Sequence, residues 1–262
     1  MVNQWAARRK GVIFLIVLVC LIIIVGIPSY LATRNQPSCS NHVKDGDESG
    51  VDCGGSCRLL CVPETLPLIS RGEVRLLKIA TSTYVAVIPV ENPNITGSVK
   101  RAAYLFKIYS GATKMPVKAF ERETYIGANS SFALFEGPFI LDGLGPFRAV
   151  FEWGPSFVWE KSPSEPLLIG VENLNLINTA NAAPRLEARL VNRGQKDLSN
   201  IEAIALLSDT NSNTVAAGKT FVDSIAVGES VPISFSWPSE FGIQPVSIRI
   251  LPHVLPDKSY IR

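Results

Sequence analysis

Catalytic side chains are scarce in this chain. Its 262 residues include two histidines, His42 and His253, far apart in sequence, so a Ser-His-Asp or Cys-His set has almost no material. No HExxH, Walker or GxSxG element occurs. Gly143-Leu144-Gly145 is too short for a dinucleotide fingerprint and lies in a β context. Carboxylates are scattered, and because a glycosidase pair could be drawn from any two of them, their presence points nowhere. A strong charge of one sign is also missing: the formal net charge is +2, too small to argue for nucleic acid or another polyanion as partner. Beyond residue 70 there are no long runs of Ala, Glu, Lys and Leu. Val, Ile, Phe and Thr dominate instead, which points to an all-β exterior. The expectation from these absences is a protein that is not an enzyme.

What is present begins with VIFLIVLVCLIIIVGIPSYL, from Val12 to Leu31, an apolar run without a charge. About 20 such residues cross the hydrocarbon core, so residues 12–32 read as a transmembrane helix in contact with the lipid bilayer. A cleaved signal core is shorter, and a cut after Ala32 would place the large Tyr30 three residues before it. A lipoprotein cut before Cys20 would need a small residue where Val19 stands, so Cys20 reads as a small apolar residue facing lipid. Arg8, Arg9 and Lys10 precede the run and Arg34 alone follows closely. By the positive-inside rule residues 1–11 are cytoplasmic and the C-terminal bulk is extracytoplasmic, a single-pass protein of the cell membrane. Trp5 reads as an interfacial residue.

Four of the five cysteines, Cys39, Cys53, Cys57 and Cys61, crowd into residues 37–62, and none follows. In an oxidising compartment such an even set reads as two disulfides, with three connectivities open. Gly46, Gly50, Gly54 and Gly55 make the segment too turn-rich for a core of its own, so it needs staples to order. The competing reading is zinc, held by Cys53, Cys57 and Cys61 with His42 nearby. Acidic residues share the segment. Asp45, Asp47, Ser49 and Gly50 fit the first, third, fifth and sixth positions of an EF-type calcium loop, and Asp52 lies in the same DGDESGVD run. Ser56 stands where that loop needs a bidentate glutamate, and no helical pattern flanks it. Asp45, Asp47, Ser49 and Asp52 are therefore the candidate calcium ligands, against the plainer reading of a solvated acidic turn. The stretch CSNHVKDGDESGVDCGGSCRLLC resembles a short cystine module of extracellular proteins that carries D-G-D-E and V-D-C-G-G-x-C. It departs from that pattern by having three residues rather than two before the last cysteine. The resemblance implies an extracytoplasmic module and no catalytic activity.

Pro63 and Pro67 mark one linker, and Pro163 and Pro166 a second, dividing the exterior into blocks at 70–160 and 167–255. The blocks repeat each other: Asn92 and Asn192 are offset by 100 residues, Gly127 and Gly228 by 101, Pro146 and Pro245 by 99. Short strands alternate within them. Tyr104, Phe106 and Ile108 share a face, as do Ile201, Ala203, Ala205 and Leu207, and Ile233, Phe235 and Trp237. Each block is therefore expected to be an Ig-like β-sandwich, two in tandem. The second, with its V-N-x-G start, Ser208-Asp209 and the A-V-G-E-S turn, resembles the FxLYD and CARDB-like sandwich domains of prokaryotic surface proteins. The first, with N-P-N and T-Y-I, resembles a related domain of single-pass membrane proteins from small-genome bacteria. These resemblances imply adhesion, spacing or assembly rather than a reaction. Trp153, Trp159 and Trp237 read as core aromatics ahead of a carbohydrate platform. Asn94-Ile95-Thr96 and Asn129-Ser130-Ser131 are glycosylation sequons.

The expectation is a membrane-anchored, non-enzymatic protein. Its sandwiches meet a protein partner on the extracytoplasmic side through loops or edge strands, with no nucleic acid and no cofactor besides the candidate calcium. A calcium-dependent carbohydrate-binding or hydrolytic ectodomain is the alternative, and a purely structural spacer the third reading.

Overall fold

The computed structural model describes residues 2–33, 38–143, 145–162, 168–179 and 182–257, with the backbone alone at 2–7 and 31–33. The Trp5 side chain and the linker prolines Pro163 and Pro166 lie outside the described residues. Two compact units are present, Met1–Cys57 and Arg58–Arg262.

The first unit opens on α1 (Val2–Leu21), a π-helical turn (Ile22–Gly26) and α2 (Ile27–Thr33). The apolar part, Arg8–Tyr30, is 23 residues with mean hydropathy 3.2 and no buried face. At about 1.5 Å per residue it is long enough to cross a bilayer. In lipid a helix satisfies its backbone internally, so the run of β-branched residues, mediocre for a helix in water, is no obstacle. Pro28 has no N–H to return to the preceding turn, and the wider π turn sits there. Cys20 is a free thiol on the exposed helix surface. The neck that follows is stapled by Cys39–Cys57, and Cys53 and Cys61 are disulfide-bonded as well. Gly55 (φ 51°) lies against the carbonyl of Asp47, where a Cβ would come within 2.0 Å of backbone oxygen, so only glycine fits.

The second unit contains β1 (Ile69–Ser70), β2 (Arg75–Lys78), β3 (Thr83–Asn92), β4 (Gly97–Ser110), β5 (Lys118–Ile126), β6 (Ser130–Ile140), β7 (Phe147–Trp153), β8 (Trp159–Lys161), β9 (Ile169–Ile177), β10 (Arg185–Asn192), β11 (Leu198–Ser208), β12 (Thr214–Ile225), β13 (Ser230–Ser236) and β14 (Ser247–Val254). All pair antiparallel, in four sheets. In the first sandwich β3 lies between β6 and the short β1 and β2, while β4 lies between β5 and the pair β7 and β8. In the second, β10 lies between β9 and β13, and β11 between β12 and β14. The order β3 to β7 recurs as β10 to β14, so both sandwiches share one connectivity. The first core is built on Phe106, Ile108, Ile126 and Phe132. The second is built on Leu186, Leu190, Ile201 and Leu207. The break between units falls after Cys57, inside the 37–62 segment, because residues 58–60 pair with β8: Leu60 N donates to Trp159 O and Lys161 N to Arg58 O.

The sandwiches do not follow each other as beads on a string. The outer face of the β3 sheet lies on the outer face of the β11 sheet through a third core of Val87, Ala133, Ile204, Leu206, Ala217 and Leu251. The strands at this seam are therefore buried on both faces. Ile204 and Leu206 point away from Ile201, Ala203, Ala205 and Leu207, yet are as buried as they are. The uninterrupted apolar run in IEAIALLS has this cause.

Each sandwich is tied at one end by a fully buried asparagine. Asn92 Nδ2 donates to Gly97 O and Gly127 O, both at 2.7 Å, while its Oδ1 accepts from Asn94 N. Asn192 Nδ2 donates to Lys196 O and Ile225 O, and its Oδ1 accepts from Gly194 N. One amide thus holds the loop that follows its own strand to the far turn of the facing sheet. Replacing either by alanine leaves buried carbonyls unmatched and is expected to cost about 1–3 kcal/mol in denaturant unfolding. Alanine at the exposed Asn175 is expected to stay within about 0.5 kcal/mol.

Candidate functional site

The seam between the sandwiches opens at one side into a cleft of about 170 Å³, lined among others by Tyr104, Arg122, Phe135, Glu136, Glu202 and Lys219. Strand alternation delivers these groups. In KAFERETYI every second side chain of β5 turns inward, and the partly buried Arg122 reaches Glu136 of β6 at 3.0 Å. Across the seam Lys219 of β12 reaches Glu202 of β11 at 3.2 Å, in a register where Glu202 faces Phe221 and Lys219 faces Ile204. The Lys219 ammonium also sits 5.6 Å from the Phe135 ring centre, a cation–π contact between the two sandwiches. Burial raises the Glu202 carboxyl above its ordinary pKa, and the Lys219 charge opposes that shift. The cleft thus holds two opposite pairs of charge over an aromatic floor, chemistry suited to gripping a polar or charged surface.

His253 lies in the same seam, fully enclosed. Its ring stacks on Phe132 at 4.4 Å, and Nε2 stands 2.9 Å from the carbonyl of Tyr125. A carbonyl only accepts, so Nε2 carries the proton, and the buried Nδ1 has no partner. This β14 side chain bonds to the other sandwich and latches the seam. With Nε2 spent there and no nucleophile bonded to Nδ1, it is placed as a structural group.

The neck places the candidate calcium ligands separately. Asp45 accepts from Ser38 N and Asn41 Nδ2, Asp47 from Ser56 Oγ, and Asp52 from Asn41 N and His42 N. Ser49 gives its N–H to Cys53 O. Each carboxylate closes a turn. Among the described residues the set that comes within metal-binding reach is Cys39, Glu48 and Cys57. Its two sulfurs are joined to each other, which leaves one carboxylate and no cage. All four neck cysteines being in disulfides, the thiolates that zinc requires are gone. Glu48, the glutamate of the D-G-D-E run, is the buried hub here. Its Oε2 accepts from Asp45 N and Asp52 N, and Oε1 touches Cys57 Sγ at 3.2 Å. The three tryptophans lie in or against the cores: Trp159 and Trp237 are buried, and Trp153 packs on Tyr104 and Phe151. Asn94 is equally occupied, its Nδ2 donating to Leu66 O and Asn92 Oδ1, so the folded chain offers no free amide at that sequon.

Of Arg122, Glu136, Glu202 and Lys219, Arg122 alone lies in the alternating charge of KAFERET, a pattern that ordinarily marks a solvated strand, and the other three carry no sequence signal. No protein-family model matches the chain, and no curated protein matches it. Among solved structures it is similar to a beta-glucuronidase from glycoside hydrolase family 2, at 10% identity and a TM-score of 0.21 over 85% of this chain. The chain spans 29% of that enzyme's length. So loose a superposition carries neither fold detail nor chemistry across.

Burial depresses the His253 pKa from 6.5 to about 4, against the hydrogen bond to Tyr125 O. On acidification the unfolded chain therefore takes up this proton first. Stability from this group is intact above pH 6.5, falls between pH 6.5 and about 4, and changes no further below. His253→Gln, which cannot charge, is expected to lack this part of the acid destabilisation. The difference is roughly 3 kcal/mol between urea melts at neutral pH and near pH 4.

Proposed function

We propose that this protein is a non-enzymatic, membrane-anchored presentation module, with its N-terminus in the cytoplasm and its double sandwich outside, holding a fixed surface towards a protein partner. The observation that carries this reading is the third core. A linker alone would leave two sandwiches to tumble, whereas packed outer faces latched by His253 hold the described loops of residues 58–257 in one frame. A rigid frame lowers the entropy lost on binding, which favours recognition by surface over recognition by induced fit. The charged cleft, with Arg122, Glu136, Glu202 and Lys219, is the face best equipped for a polar partner segment. Orientation follows the excess of basic residues before the apolar run, and two disulfides accord with an oxidising compartment.

The test is topological. In membrane vesicles of known sidedness, an impermeant lysine reagent is expected to modify the β body from the outside without lysis. Modification only after the membrane is opened would reverse the proposed orientation. It would leave the anchored double sandwich itself in place.

A further inference from the structure

We infer that two copies of this chain join through β7, edge to edge, about a two-fold axis at Val150. The inference goes beyond the reading above and stands in whichever compartment the sandwiches lie.

β7 is the end strand of its sheet. Gly154 N donates to Ala103 O and Gly111 N to Pro146 O, so the even-numbered residues of β7 turn their main-chain groups towards β4. Phe147, Ala149, Phe151 and Trp153 turn theirs outward, and among the described residues no strand pairs with that side. Such a row is a template for another strand, and natural sheets blunt it where no partner is meant to come.

The other edges are blunted. Pro252 on β14 and Pro232 on β13 occupy outward positions, since Leu255 N bonds to Asn200 O and Trp237 N to Pro184 O on the alternate residues. On β12 the outward carbonyls of Ala217 and Ile225 accept from Trp237 Nε1 and Asn192 Nδ2. β9 breaks register around Asn173 (φ 54°), and β6 does so near Gly137 (φ 126°). β5 carries Lys118, Glu121, Arg122 and Glu123, and its ladder slips near Val99. β1, β2 and β8 have two, four and three residues. β7 keeps unbroken register over seven residues, with no proline and no positive φ.

The sequence of β7, FRAVFEW, specifies its own occupant. Paired antiparallel with itself about Val150, it sets Phe147 opposite Trp153 and Ala149 opposite Phe151. All four are outward-bonding residues, so these become hydrogen-bonded pairs. On the solvent face the same register sets Arg148 opposite Glu152, twice. Both are exposed and available. The Arg148 guanidinium stands over the Tyr109 ring, 4.2 Å from its centre, and Glu152 holds Lys107 through one oxygen. The inward side chains of β7 are only half-buried, so a second copy would also cover apolar surface. A self-complementary strip of this kind is what a two-fold interface requires.

The test uses the full chain in detergent micelles, in a Cys20→Ser background, with mass read by light scattering and sedimentation. A dimer is expected. Arg148→Glu and Glu152→Arg each place like charges opposite twice and should weaken it roughly tenfold or more. Mixed together, the two variants should pair with each other, because every contact is then opposite in sign. Val150→Cys should form a disulfide across the axis on mild oxidation, since opposed residues there come within about 4.5 Å. A monomer at micromolar concentrations would overturn the inference. So would a dimer indifferent to Arg148→Glu, which would place the contact elsewhere, for instance along the anchor helices.

Discussion

The arrangement of the two sandwiches depends on one apolar contact, the seam where Val87 and Ala133 of one sandwich meet Ile204, Leu206, Ala217 and Leu251 of the other. A sheet in a sandwich needs only one buried face. Here two sheets bury both, and the cost is that the second face can no longer be polar. Small residues at Ala133 and Ala217 let the sheets approach, and each larger side chain removed from water contributes roughly 1.5–3 kcal/mol. His253, the cleft and the Lys219 contact with Phe135 all lie along this seam. Without it they would be separate surface groups.

The seam also explains why the two copies of one connectivity carry different sequences. The first sandwich gives up the outer face of its β3 sheet and the second that of its β11 sheet, so the apolar double face falls on non-equivalent strands. What the copies keep in common is the buried asparagine at the end of β3 and β10, because both must hold a loop of one sheet to a turn of the other. What they do not keep is edge protection. Pro252 guards β14, and β7 has no equivalent.

The neck solves a separate problem. A glycine-rich segment of this size cannot bury enough apolar surface to order itself. Disulfides restrict its unfolded ensemble, and Glu48 gathers the N–H groups of Asp45 and Asp52 around the Cys57 sulfur. The acidic residues that read as candidate calcium ligands also accept hydrogen bonds that close turns in this segment. Carboxylates can do both jobs over short distances.

The sequence by itself determined the features that rest on local pattern: the apolar helix, the cystine neck, two β-rich blocks, and the inward faces headed by Phe106, Ile201 and Phe235. Period and composition are properties of neighbours along the chain, and they were legible because burial on one face imposes them directly. The repeat was legible too, since Asn92 and Asn192 keep nearly the same offset as the turns they hold. Only the tertiary structure decided what the other faces do. Ile204 and Leu206 gave a readable sign, an apolar run with no polar alternate, but nothing local says which sheet covers them. Arg122, Glu136, Glu202 and Lys219 come from four strands, two consecutive pairs far apart in sequence, and form a cleft only because the seam brings those pairs together. His253 reads as any lone histidine until β14 lies against Tyr125 and Phe132. Long-range packing carries no period, and so leaves its mark on single residues rather than on a pattern.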